Sequence, residues 1–171
     1  MTNSRRNPPK APGHSPATPR KHNSRESEIM ERMAPGALTL DGFLGDDTRS
    51  LYEIIEADRA QATHVRITPE TLAERLQHIQ AAAFGGLGRP VLAGAHLTAV
   101  YDAAIGRIPC PFGRCGLFEK GEIHVTNTAT GETVTFTPLS VHMLKAHGFG
   151  QGRGSRYRLD PVHLVRLLEN P

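Results

Sequence analysis

"CPFGRCGLF", residues 110–118, holds both cysteines of the chain, Cys110 and Cys115, with four residues between them. Pro111 follows the first, Gly116 follows the second, and Gly113 lies inside the turn. Proline stiffens such a turn, and glycine admits the backbone angles that a tight reversal needs. Two thiols placed this way can close a disulfide, remain inert, or face one metal ion. The sequence further along bears on that choice.

"HMLKAH", residues 142–147, supplies His142 and His147, again with four residues between them. The full pattern is C-x4-C, a 26-residue spacer, then H-x4-H. Zinc favours four such ligands, because thiolate and imidazole both suit a borderline-soft d10 ion. One geometric objection stands: five residues of regular helix turn through about 500°, leaving the two imidazoles roughly 140° apart. A helix that ends at His147 would relieve it, and Gly148 follows at once. His124 is an alternative ligand. A paired set of cysteines with no secretory signal points to a reducing compartment, and hence to metal binding over a disulfide and to a cytoplasmic location. The expected cofactor is one structural zinc ion held by Cys110, Cys115, His142 and His147.

Around this segment the chain reads as α+β. "LTLDGFLGDDTRSLYEIIEADRA" offers Asp46 or Asp47 as the N-cap of a helix over 48–60. "ITPETLAERLQHIQAAAFGG" offers Thr68 as N-cap, Pro69 at the first helical position and Gly85-Gly86 as the stop of a helix over 69–84. These two are expected to form an N-terminal helical hairpin. Short strands follow at Val91-Leu92 and Leu97 to Tyr101, then the knuckle. The alternation in "LFEKGEIHVTNTATGETVTFTP" predicts a β-hairpin turning near Gly131. Thr137-Pro138 starts a helix that Gly148 ends, and Asp160-Pro161 starts a C-terminal one.

Knuckle, hairpin and helix in this order, with "CP" and "CG" borders, resemble treble-clef zinc modules over about residues 108–150. The resemblance implies a structural metal held by the knuckle and the helix. It departs from the usual pattern in its four-residue knuckle spacing, its two histidine ligands and the late position of His147.

Charge is uneven. Residues 1–25 carry six basic side chains and no acid, whereas the remainder carries 14 basic and 17 acidic ones. Five prolines and few large apolar residues in that leader predict a disordered basic tail over 1–35, preceding a single α+β domain over 36–171 whose zinc-binding half begins near 106. Met30 and Met33 are alternative starts to Met1. The chain has no run of about eighteen apolar residues, so no membrane partner is expected.

"HGFGQGRGSRYRLD" sets four glycines among arginines. Read one way, Lys145, Arg153, Arg156, Arg158 and Tyr157 contact DNA or RNA, with loop 148–158 and the tail following phosphates. Read the other way, it is a linker whose arginines pair with acids of the body. The expected function is a small zinc-binding module that binds nucleic acid or regulates, more readily a non-enzyme than an enzyme. The alternatives are a protein-interaction adaptor, or a metal-dependent hydrolase or nuclease in which His124 acts as base, a layout resembling the ββα-metal nucleases.

Overall fold

The computed structural model describes residues 24–169, so the basic leader 1–23 lies outside the described residues. Five helices and two antiparallel sheets follow in an α+β order. Helix α1 (Ser24–Met33) falls inside the stretch that composition assigns to the tail. It buries Ile29 and Met33, the latter fully, so the ordered body begins earlier than expected.

Helix α2 spans Leu51–His64 and α3 spans Pro69–Gly85. Ser50, not Asp46 or Asp47, caps α2: its hydroxyl accepts from the Glu53 N–H, and the Glu53 carboxylate accepts from the Ser50 N–H in return. Asp47 instead accepts from the Arg49 guanidinium and from the Arg153 N–H. Thr68 and Pro69 open α3 as the sequence indicates, and it runs to Gly85. The two helices are consecutive across residues 65–68, yet each buries its apolar stripe in a different place.

Strands β1 (Val91–Leu92), β2 (Leu97–Asp102), β5 (Glu122–Asn127) and β6 (Thr133–Phe136) form one sheet in the order β1-β2-β5-β6. Strands β3 (Arg107–Pro109) and β4 (Leu117–Glu119) form a second, two-stranded one. The alternation that reads as one continuous strand over 117–127 breaks at Lys120-Gly121. The Tyr101 ring lies where a Cβ at Gly121 would be, so only glycine lets the chain pass between the sheets there. In the hairpin itself, Gly131 takes φ +75°, and the buried Asn127 side chain accepts from the Ala129 and Thr130 N–H groups to shape the turn.

Helix α4 (Pro138–His147) and α5 (Pro161–Glu169) complete the chain. One apolar cluster joins α3, α5, the inner face of the four-stranded sheet (Ala99, Ile123, Val125, Phe136) and the Val141–Leu144 side of α4. The second joins α1, the start of α2, Phe43, Ile108, Cys110, Phe149 and the Leu139–Met143 side of α4. Helix α4 therefore belongs to both.

No helix among the described residues is long and apolar enough to cross a membrane.

Candidate metal centre

The knuckle is the turn that joins β3 to β4. Ile108 pairs with Phe118 and Pro109 with Leu117, which brings the chain back on itself across residues 110–116. Within the turn the Gly113 N–H donates to the Cys110 carbonyl, and the Cys115 N–H donates to the Gly113 carbonyl. Gly113 and Gly116 adopt φ +116° and +101°, a region that L side chains avoid. Both thiols are free.

Helix α4 starts at Thr137, whose hydroxyl accepts from the Ser140 N–H, and stops at Gly148 with φ +65°. Its last residue is His147, which answers the angular objection. At about 100° per residue, His142 and His147 lie some 70° to either side of the Leu139–Met143 stripe that faces the knuckle. Both rings can then reach one point above the stripe.

They do converge there. One ligand atom from each of Cys110, Cys115, His142 and His147 lies within 4.8 Å of every other. His147 Nε2 is 3.6 Å from Cys110 Sγ and 3.4 Å from Cys115 Sγ. In a tetrahedron with Zn–S of about 2.3 Å and Zn–N of about 2.05 Å, the S···N edge is about 3.5 Å. The observed edges bracket that value. His142 Nε2 is buried and has no hydrogen-bond partner among the described residues, the state expected of a nitrogen left for an ion. The group can hold a metal ion and is compatible with a zinc module.

Two aromatic rings close the site. Phe112 stacks on His147 at 3.9 Å between centroids, and Phe118 lies 4.3 Å from His142. Burial pushes the Cys110 thiol up to about 12, with Cys115 adding to the rise. It pushes both imidazoles down, for His147 with help from the positive charge of His142 and Arg25. An ion must therefore displace the thiol protons, whereas neutral imidazoles are ready ligands. The sequence reading did not single out Phe112, Phe118 or Arg25. The signal for the first two was an aromatic beside each half of the knuckle.

His124 lies elsewhere. It stands on β5, bonded through Nδ1 to the Thr135 hydroxyl at 3.0 Å and 3.6 Å from Glu122, outside the four-residue group.

The glycine-rich segment 148–158 is packed against the body. Gly150, Gln151 and Gly152 are buried, and the Gly152 N–H donates to the Phe43 carbonyl while the Asp46 N–H donates to the Arg153 carbonyl. A Cβ at Gly150 would sit 2.6 Å from the Leu159 carbonyl oxygen, and one at Gly152 would overlap that of Leu44. The glycines serve backbone-to-backbone approach. Arg158 donates to both carboxylate oxygens of Asp58, at 2.7 and 2.5 Å, and Asp58 is 2% exposed. Burial raises the Asp58 carboxyl against the pull of that guanidinium. Arg156 and Tyr157 both bond to Glu122, and Lys145 bonds to Gln77. Arg153 and Arg156 remain exposed.

No protein-family model matches the chain, and neither a curated protein nor a solved structure matches it.

Proposed function

We propose that Cys110, Cys115, His142 and His147 hold one zinc ion in a closed structural site, and that the protein is a metal-stabilised binding module with a treble-clef-like build over residues 108–150. The observation that carries this is the pair of S···N separations, 3.4 and 3.6 Å, beside a buried imidazole nitrogen without a partner. Four protein ligands leave no position for a water nucleophile, so the site suits structure better than hydrolysis. His124, bonded to Thr135, offers less to a nuclease reading.

Elemental analysis tests the metal. Purified protein should carry one zinc per chain. Cys115→Ser and His142→Ala should each abolish it and cost several kcal/mol of stability, because binding free energy at such a site is folding free energy. His124→Ala should keep the ion. Metal-free protein with unchanged melting would overturn the proposal.

For the partner, we propose nucleic-acid phosphates contacted by Arg153 and Arg156 together with the basic tail. The exposure of these two arginines supports it: Arg153 has no ion pair among the described residues and Arg156 has one surface pair, with Glu122, whereas Tyr157 and Arg158 are partly buried against their protein partners and Lys145 bonds to Gln77. Binding should weaken with salt, with a log–log slope of about −0.9 per phosphate contact on duplex DNA. No binding at low salt would assign the surface to a protein partner instead.

A further inference from the structure

Beside the strap 151–157 lies a cleft of about 650 Å³, within the size range of small-molecule sites. Its walls come from loop 38–45, the ends of β3 and β4, the first turn of α4 and the strap. Phe43, Ile108 and Leu139, each under 8% exposed, give it an apolar floor.

Gln151 singles this cleft out. The residue is 1% exposed, lines the cleft and adopts φ +69°. A non-glycine residue there costs about 1–2 kcal/mol, and such strain collects at functional sites. The same segment uses glycine at its other left-handed positions, Gly148 and Gly154. A glutamine at 151 is thus the costlier choice for the backbone alone. Its amide oxygen accepts from the Ser155 hydroxyl, and its amide nitrogen meets no partner among the described residues. Whichever way round the amide is placed, one of its two polar atoms is left for something else.

The groups around it are mostly donors. Thr39, also lining the cleft, has a buried hydroxyl with no partner. Lys120 stands exposed at the rim with no ion pair or hydrogen bond among the described residues. The first turn of α4, at Thr137 and Leu139, presents the positive end of a helix. Two rim acids oppose them: Glu119, which is paired with Arg107, and Asp41. Arg156, also at the rim, is held by Glu122.

We propose that this cleft binds an amphipathic small molecule whose oxyanion head, a carboxylate or a phosphate, accepts from the Gln151 amide and Lys120 while its apolar body covers Phe43, Ile108 and Leu139. The site is distinct from the metal cluster, and the proposal does not depend on which ion that cluster takes.

Calorimetric titration of the full chain with hexanoate, hexyl phosphate and hexylamine tests it, the first two separating the carboxylate from the phosphate source. At least one anion should bind at millimolar concentration, and the amine should not. Lys120→Met removes a rim charge with no protein partner and should weaken that anion about tenfold. Gln151→Gly relieves the backbone and removes the amide, so it should keep or raise the melting temperature while losing the ligand. Equal binding of the amine, undiminished anion binding by both variants, or no anion binding at all would each overturn the proposal.

Discussion

Asp47 shows how one side chain can look like one device and serve as another. It stands where an N-cap is expected, three residues ahead of Ser50, but its carboxylate meets the Arg49 guanidinium and the backbone N–H groups of Arg49 and Arg153. The Arg49 hydrogen bonds hold this carboxyl well below the usual carboxylate range, against the opposing effect of burial. A depressed folded-state value stabilises above the unfolded value near 4 and is lost as pH falls through the folded one. Asp47→Asn should therefore cost about 1–2 kcal/mol at neutral pH, after allowance for solvent screening. In urea titrations from pH 7 downward, that difference should close below about pH 4. A constant difference across the range would show that the charge is not what matters. The four residues that converge into a group able to hold a metal ion were legible from residue type and spacing alone. The choice of Ser50 over Asp47 was not, because it turns on where the strap runs.

Among the elements, those defined by local chemistry were readable. Thr68-Pro69, Thr137-Pro138 and Asp160-Pro161 each start a helix where the sequence says so, and Gly148 ends one with a left-handed residue. Strand β3 was missed, being three residues long and lacking a full period of alternation, and β4 was read as the start of the hairpin's first strand, where it is a separate strand paired with β3. The glycine-rich segment was ambiguous between phosphate loop and linker. It is a packed strap, which only the opposing Leu44 and Leu159 carbonyls reveal. Gly152→Ala would drive a methyl into the Leu44 carbonyl and should cost about 3 kcal/mol or more. Gly131→Ala meets open space and suffers only the positive φ, so about 1 kcal/mol is expected. Chemical denaturation of the two variants side by side checks the ranking. Equal costs would mean that the strap yields more easily than its contacts imply.

At the level of the molecule, the α+β class was legible, and the division into two apolar clusters was not. Helix α1 is the clearest case: ten residues with five charged side chains read as leader, and they become ordered because Ile29 and Met33 find the knuckle, Phe43 and Phe149. Likewise α2 and α3 are adjacent in sequence, yet α2 begins in one cluster while α3 lies in the other. Long-range packing of this kind leaves no periodic trace in either segment.

Because α4 lends one flank to each cluster, whatever grips His142 and His147 also governs whether the two halves melt in step. With the ion in place, calorimetry should record a single cooperative endotherm. After chelation, amide exchange should quicken first in α1 and the β3–β4 turn, while the β2–β5 ladder keeps its protons longer and gives a second, later endotherm.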